Sequence, residues 1–228
     1  MSLADYVTVN EAAQILGLSE REVRALASGH EIDAIKRGNM WWLHRRSIER
    51  RRRQPTSPGR PLSPTMTWTV LLLASGIGER AQELGPPYHR RRASRWLETH
   101  ILANRAHALR QRARPESFHV HPSELNRLAA RHDTMPTGAS AANRVGVHGA
   151  RNDIEIYAPM AHRAEIVRAH ALDPGPGLAL IRWILADELW TTIASSQAPI
   201  AATLLDLLEH DDPRLRREAI RHLKRLKP

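Results

Sequence analysis

The sequence predicts a mainly helical α+β protein with a small N-terminal domain and a larger C-terminal domain. Three observations lead to this fold class. Apolar residues near the N-terminus recur at helical spacing on both sides of a Gly-Leu-Ser break, and short apolar strands follow them. Farther on, amphipathic stretches alternate with strand-like runs such as "DIEIYAP". At 228 residues, the chain is long enough to bury a core in each of two domains.

The stretch "AAQILGLSEREVRAL", residues 12–26, predicts two short helices joined by a tight break. The apolar residues of the first helix share one face: Ala12, Ala13, Ile15 and Leu16. Gly17 suits a left-handed end to this helix, and Ser19 with Glu22 has the spacing of a capping box. We therefore expect the second helix to begin at Glu20.

The second helix has the composition of a helix that lies in a DNA major groove. Its inward face consists of Val23, Leu26 and Ala27. This arrangement leaves Arg21 and Arg24 pointing outward. A generic helical hairpin is the alternative interpretation of this stretch taken alone.

Two short apolar strands follow, Ile32–Ile35 and Met40–Leu43, around a basic turn. The turn consists of Lys36, Arg37, Gly38 and Asn39. Helix, turn, helix and ribbon together resemble the winged helix-turn-helix of excisionases and MerR-type regulators over residues 6–50. The resemblance rests on "VNEAAQILGLSEREVRAL", on "GHEIDAIKRG" and on the Trp41-Trp42-Leu43 strand.

The resemblance implies a set of DNA-reading residues on the second helix and the ribbon tip. The helix residues face base edges or phosphates, and the ribbon residues reach the neighbouring minor groove or the backbone. The set is Ser19, Arg21 and Arg24 on the helix, and Lys36, Arg37 and Asn39 on the ribbon. Trp42 departs from the pattern, because such wings more often carry a basic or aliphatic residue there. Covering another domain is an alternative role for this side chain.

The net charge of +10 is concentrated in the middle of the chain. Residues 45–114 contain sixteen basic and four acidic side chains, whereas the basic and acidic side chains of residues 115–228 balance. The cluster "HRRSIERRRR" directly follows the ribbon, so we assign its members Arg45, Arg46 and Arg50 to DNA phosphates. A second cluster, "HRRRASRW", is equally consistent with a solvated arginine-rich face.

The segment "QPTSPGRPLSP" is too rich in proline for regular structure. We therefore predict a DNA-binding domain at 1–54, a linker at 55–64 and a second domain at 65–228. The second domain should begin with a buried helix from Thr65 that ends at Gly76.

Farther along the second domain, residues 89–114 predict a long helix with outward arginines. Its inward residues should be Trp96, Leu97, Ile101, Leu102 and Leu109. "PSELNRLAARH" predicts a short helix, and "DIEIYAP" and "LALIRWIL" predict strands. The tail predicts two helices split at His210 and Asp211, the second opened by Asp212 as cap and Pro213 at the first helical position.

A wider similarity extends over nearly the whole chain. It includes "GRPLSPTMTWTVLLLASG", "HVHPSELNRL", "PTGASAANRVGV" and "LLDLLEHDDPRLRREA". These segments are similar to actinobacterial helix-turn-helix proteins of the AbiE-like antitoxin type, which are associated with nucleotidyltransferase toxins. The similarity implies an antitoxin that binds promoter DNA, represses its own operon and neutralises a cognate nucleotidyltransferase-like toxin. An excisionase-like or MerR-like factor of a mobile element is the alternative.

For the toxin-binding surface we select Trp183 and Trp190, because aromatic side chains dominate interface energetics. Burial in the core of their own domain is the alternative for each. Homodimerisation stays open as a further interaction.

The composition argues against several other classes of protein. The chain contains no cysteine, which excludes disulfides, cysteine zinc sites and a cysteine nucleophile. The N-terminus lacks a signal peptide pattern and no run is apolar enough to span a bilayer, so we expect a cytoplasmic protein without a membrane partner. His119 and His121 lie on one side of an extended segment but lack a third metal ligand, and a capping or solvent-exposed role suits them better. We expect no catalytic residues, no metal and no cofactor.

Overall fold

A computed structural model describes residues 5–29, 31–53, 60–148, 153–175, 177–195 and 197–226. It contains many helices and two sheets, so the α+β class predicted from the sequence is confirmed. Of the predicted linker, residues 55–59 lie outside the described residues, and residues 60–63 have no regular secondary structure.

The N-terminal domain has three helices and a three-stranded sheet. Its elements are β1 (Tyr6–Val7), α1 (Val9–Leu16), α2 (Glu20–Ser28), β2 (Ala34–Arg37), β3 (Met40–His44) and α3 (Arg45–Arg53). The predicted break is confirmed, because Gly17 ends α1 in the left-handed region at φ 66°. The capping box is also present: the Glu22 N–H donates to Ser19 Oγ at 3.3 Å, and the Ser19 N–H donates to Glu22 Oε2 at 2.9 Å. Helix α2 begins at Glu20 as predicted.

The three strands form an antiparallel sheet in the order β1-β3-β2. Arg37 pairs with Met40, so the turn of the β2–β3 ribbon contains only Gly38 and Asn39. Gly38 adopts φ 58°, a conformation that favours glycine in a two-residue hairpin turn. The ribbon strand predicted at Ile32–Ile35 is β2, and it begins two residues later, at Ala34. Ile32 precedes the strand and is buried in the domain core.

The C-terminal domain surrounds a mixed five-stranded sheet. The strands are β4 (Arg114–His119), β5 (Met135–Pro136), β6 (Ile154–Pro159), β7 (Asp173–Pro174) and β8 (Ala179–Ile184), in the order β5-β6-β8-β4-β7. Strands β6 and β8 are parallel, and the other pairs are antiparallel. The two strands predicted from "DIEIYAP" and "LALIRWIL" are therefore confirmed as the buried centre of the sheet.

Eight α-helices of the described residues accompany this sheet. They are α4 (Pro64–Ala74), α5 (Gly78–Glu83), α6 (Pro87–Thr99), α7 (Leu125–Ala129), α8 (Arg163–Ala169), α9 (Asp187–Ile193), α10 (Ile200–Leu208) and α11 (Pro213–Leu223). Short 3₁₀ segments occupy Leu102–Arg112, Pro122–Glu124, Gly138–Val145 and Met160–His162. Most of α4 is buried, and the Ser63 side chain caps it. The break before α11 is confirmed, since Asp212 accepts from the Arg214 N–H at 2.7 Å and Pro213 begins the helix.

The prediction of one helix over residues 89–114 is wrong. Helix α6 ends at Thr99, because His100 is extended, with φ −133° and ψ 135°. The Thr99 hydroxyl donates back to the carbonyl oxygens of Arg95 and Trp96, a bond of the kind that competes with helix continuation. The chain then continues as the 3₁₀ segment and enters β4. Ile101, which we expected to point inward, is 51% exposed.

The expectation that all arginines of this region point outward is also wrong. Arg112 is buried, and its Nε donates to Asp206 Oδ1 at 2.8 Å while its Nη2 donates to Glu209 Oε1 at 2.7 Å. Arg182 is buried beside it and binds Glu209 and Glu155. Burial alone would raise the pKa of Glu209, but the two arginines lower it below the usual value. This charged cluster ties α10 to the centre of the sheet.

Candidate nucleic-acid interface

Helix α2 presents the two predicted arginines to solvent. Val23 and Ala27 are buried against the core of the N-terminal domain, so the rotation of the helix is fixed. Arg21 and Arg24 lie on the exposed side. Arg24 Nη2 lies 2.5 Å from Glu20 Oε2, but both side chains are about half exposed, and such pairs contribute little. The Arg24 guanidinium is therefore available to exchange Glu20 for a base or a phosphate.

Ser19 is exposed at the start of α2, but its hydroxyl is engaged. Its Oγ donates to Glu22 Oε2 at 2.7 Å and accepts from the Glu22 N–H. The hydrogen bonds that the Glu22 carboxylate accepts from the Ser19 hydroxyl and the Ser19 N–H lower the pKa of Glu22. A contact of Ser19 with DNA therefore has to use its backbone, or its hydroxyl has to bind DNA while it also caps the helix.

The tip of the β2–β3 ribbon carries the other half of the predicted set. Lys36, Arg37 and Asn39 are all exposed. Lys36 Nζ lies 5.6 Å from the centre of the Trp41 ring. This cation–π contact orients the Lys36 side chain at the base of the ribbon tip. The structure therefore brings an exposed helix and an exposed basic ribbon together on one small domain.

The two tryptophans of β3 lie on opposite faces of the sheet, as alternation along a strand requires. Trp41 packs against the apolar core of its own domain. Trp42 is half-buried and lies on the same face as His44, whose ring is 4.2 Å from that of Tyr6. Burial lowers the pKa of His44, which favours the neutral ring.

Most described arginines of α3 are paired with carboxylates, whereas the sequence assigned this cluster to DNA phosphates. The pairs are Arg46–Asp211 at 3.7 Å, Arg50–Asp33 at 3.4 Å, Arg51–Glu31 at 3.0 Å and Arg52–Glu49 at 2.9 Å. Arg50 corrects our assignment to DNA, because it is only 8% exposed and points toward Asp33 and Ser47. Arg45 and Arg46 remain exposed.

The C-terminal domain lies behind α3 and the ribbon. A cavity of about 380 Å³ separates Arg46 and Arg50 from Glu155, Arg182 and Glu209. A smaller cleft of about 60 Å³ lies between Asp33 and His44 on one side and Glu116 and Pro174 on the other. Asp211, between α10 and α11, reaches across to Arg46. These contacts involve the side of the N-terminal domain that carries α3, and they leave the predicted reading residues exposed.

A second set of exposed arginines lies on α6, in the "HRRRASRW" cluster. Its members are Arg90, Arg91, Arg92 and Arg95, and we call them the α6 arginines. Within the described parts of the chain, none of these four side chains has a hydrogen bond or an ion pair. Three of them line a shallow groove with Ser94 and Glu98.

The two tryptophans chosen as partner anchors have different positions. Trp183 is fully buried, and its Nε1 donates to Glu116 Oε2 at 2.8 Å, so it belongs to the core of the sheet. Trp190 is half-buried on α9 and packs on the larger apolar cluster. Trp183 therefore offers no surface to a partner, whereas Trp190 offers part of its ring.

The residues weighed for metal or acid–base chemistry are dispersed. His121 Nδ1 accepts from the Ser123 N–H at 3.3 Å, so its capping role is confirmed, and His119 is exposed. Asp212 caps α11 while Asp211 faces Arg46. In the described ranges, no group of three or more His, Cys, Asp or Glu side chains has an arrangement that could hold a metal ion.

Comparison with known proteins identifies a family for the N-terminal domain but not for the rest of the chain. Residues 6–55 match the family described as "Helix-turn-helix domain". No curated protein and no solved structure matches the chain. The protein therefore carries an N-terminal helix-turn-helix DNA-binding domain. In the part of the chain that the structure describes, no helix combines the length and the apolar character needed to cross a membrane.

Proposed function

We propose that the protein is a transcription regulator that reads promoter DNA with α2 and the tip of the β2–β3 ribbon. The observation that carries this proposal is the exposure of Arg21, Arg24, Lys36, Arg37 and Asn39 on a domain whose other side packs against the C-terminal domain. A helix in the major groove with a basic ribbon on the flanking backbone is a common way to combine base contacts with phosphate contacts.

We further propose that the C-terminal domain neutralises a nucleotidyltransferase-like toxin and that the protein represses the operon encoding both. Support comes from the similarity of the chain to AbiE-like antitoxins. The domain contains two apolar clusters, one on each side of its sheet, and is large enough to offer a partner surface besides folding. On this proposal the protein acts by binding and not by catalysis.

The test of this function uses the full chain and an R21A/R24A variant. Each is co-expressed with the product of the adjacent reading frame, and cell growth, copurification and promoter activity are recorded. The variant should still protect cells and retain the partner while failing to repress. R168A/R217A, which removes two exposed arginines from α8 and α11, is the matched control and should behave like the wild-type protein in all three assays. A folded wild-type chain that neither protects cells nor retains a partner would reject the antitoxin role.

A separate C-terminal fragment is useful for the same question, and its first residue matters. The Leu62 N–H donates to the Ala108 carbonyl at 2.8 Å, and Ser63 caps α4. A fragment that starts at Thr65 would lose both interactions. Starting at Arg60 retains them, and this fragment should protect cells without repressing the promoter.

An excisionase-like factor of a mobile element is the second candidate. The observation that favours it is the family match, which is confined to residues 6–55 and fits such factors. About three quarters of the chain lies outside this domain, which favours the antitoxin over an excisionase. An integrase gene beside this reading frame, in place of a nucleotidyltransferase-like gene, would favour the excisionase.

A further inference from the structure

The α6 arginines form a basic surface that the DNA-reading domain does not use. Helix α6 is held firmly, because Ala93 and Leu97 on its inner face are buried in the larger apolar cluster. Its outer face carries four exposed guanidinium groups within six residues of sequence. A firmly packed helix fixes the backbone positions of these arginines, so little conformational entropy is lost by the backbone when a ligand binds.

The electrostatic surroundings of this surface favour a polyanion. Arg90, Arg91 and Arg95 line the groove together, and Glu98 is its one acidic lining residue. The first turn of α6 contains no acidic residue, so no carboxylate in that turn offsets the charge of Arg90. Arg91 and Arg95 are one helical turn apart, about 6 Å along the axis, and can therefore bind neighbouring anionic groups.

Exposed arginines without an internal partner cost a protein little, but four on one helix repel one another. Ion pairs relieve this repulsion on α3, where Arg46, Arg51 and Arg52 each face a carboxylate. The α6 arginines have no such relief among the described residues. A regular polyanion supplies the missing negative charge and releases counterions when it binds.

We propose that the α6 arginines bind the phosphate backbone of double-stranded DNA next to the segment that the N-terminal domain reads. This inference rests on the proposed DNA-binding function. The DNA held by α2 and the ribbon is a polyanion within the reach that the connection between the domains allows. Ten residues join the end of α3 to the start of α4, and α6 packs against α4. The extended length of these ten residues plus the length of α4 limits the distance from α3 to the far end of α4 to roughly 50 Å. At about 3.4 Å per base pair, this distance corresponds to about 15 base pairs.

The consequence is a DNA site longer than the footprint of the N-terminal domain. Since phosphates carry no base identity, the flanking contacts should strengthen binding without adding sequence preference. Once the N-terminal domain has bound DNA, binding of the flanking phosphates by the α6 arginines is intramolecular. Even weak contacts of these arginines therefore strengthen the complex.

The experiment compares two DNA probes with the full chain. The short probe contains only the segment of the protein's own promoter that the full-length R91A/R95A variant protects from cleavage, and the long probe extends it by about 20 base pairs on each side. Affinities are measured between 50 and 200 mM salt for wild type, R91A/R95A and the charge-preserving R91K/R95K. R168A/R217A removes two exposed arginines from α8 and α11 and matches the change in net charge.

Wild type should bind the long probe more tightly than the short one and with a steeper salt dependence. Loss of two phosphate contacts flattens the slope of log affinity against log salt by about 1.8, so across this fourfold salt range the affinity of R91A/R95A for the long probe should fall about tenfold less than that of wild type. R91K/R95K and R168A/R217A should behave like wild type, and all four proteins should bind the short probe equally.

Four results would overturn the inference. Equal affinities and slopes of wild type and R91A/R95A on the long probe would exclude a contact of these arginines with DNA, and equal losses on both probes would place the effect at the N-terminal domain. If the wild-type chain binds neither probe, the DNA-binding function itself fails, and this inference fails with it. Equal affinity of the wild-type chain for the two probes keeps the proposed function and rejects only the flanking contact.

Discussion

The arginines of α3 and those of α6 look alike in the sequence, but they lie in different electrostatic surroundings. On α3, Arg50 is buried beside Asp33, and Arg46 is tied to Asp211 of the other domain. On α6, the four arginines are exposed and have no partner among the described residues. The α3 arginines therefore help to hold the two domains together, whereas the α6 arginines keep their charge for an external ligand, which we propose to be DNA.

The comparison indicates that the α6 arginines should contribute more to electrostatic DNA binding than the α3 arginines. Position in the sequence favours α3, because it directly follows the ribbon. The ion pairs favour α6, because an arginine that already faces a carboxylate gains less from a phosphate. Of the α3 arginines assigned to DNA, Arg45 and Arg46 keep an exposed position.

The largest expected difference between the two helices is in stability. Replacing Arg50 with Ala leaves Asp33 without its partner in a mostly buried position, and we expect the free energy of unfolding to fall by about 3 kcal/mol. Replacing Arg91 with Ala should change it by less than about 0.5 kcal/mol, because that side chain is exposed and unpaired. Urea titrations followed by circular dichroism measure both values. Similar losses for the two variants would remove the distinction.

The next difference is in the salt dependence of DNA binding. R91A/R95A should reduce the slope of log affinity against log salt by about 1.8 on extended promoter DNA. R51A/R52A should reduce it by less than about 0.9, since both arginines face glutamates in the free protein. Fluorescence anisotropy at several salt concentrations gives the two slopes. A larger reduction for the α3 pair would return the main phosphate contacts to α3.

The smallest effect concerns the contact between the domains. Asp211→Asn should free Arg46 for DNA and increase affinity, but by less than about 1 kcal/mol, because both side chains are about half exposed. The Arg46→Ala variant is the reference, and adding Asp211→Asn to it should have no further effect on affinity. If Asp211→Asn strengthens binding equally with and without Arg46, the gain comes from the overall charge.

Local features of the fold could be predicted from the sequence, because their causes are local. The capping box joins Ser19 to Glu22 within one turn, and Gly17 alone decides how α1 ends. The strand "DIEIYAP" and the helix start at Asp212 and Pro213 are fixed by short patterns of the same kind.

Features set by distant partners could not be predicted. Arg50 binds Asp33, which lies 17 positions away, and Arg112 binds Asp206, which lies 94 positions away, so the sequence around each arginine carries no sign of its burial. The same limit applies to Trp183, whose indole reaches Glu116 across 67 positions. For the candidate site, helical periodicity predicted the outward position of Arg21 and Arg24, and the resemblance to winged helix-turn-helix domains implied the residues of the ribbon tip. The pairing of the α3 arginines required the fold.

The measurement that tests the central claim most directly is a titration of promoter DNA and of scrambled DNA of equal length with wild type and R24A. Base contact by Arg24 predicts a loss of about 1 to 3 kcal/mol on the promoter, about fivefold to 150-fold in affinity, and a small change on scrambled DNA. R168A is the control for charge, and circular dichroism verifies folding. Equal affinity of wild type and folded R24A for the promoter would contradict the assignment of α2 as the reading helix.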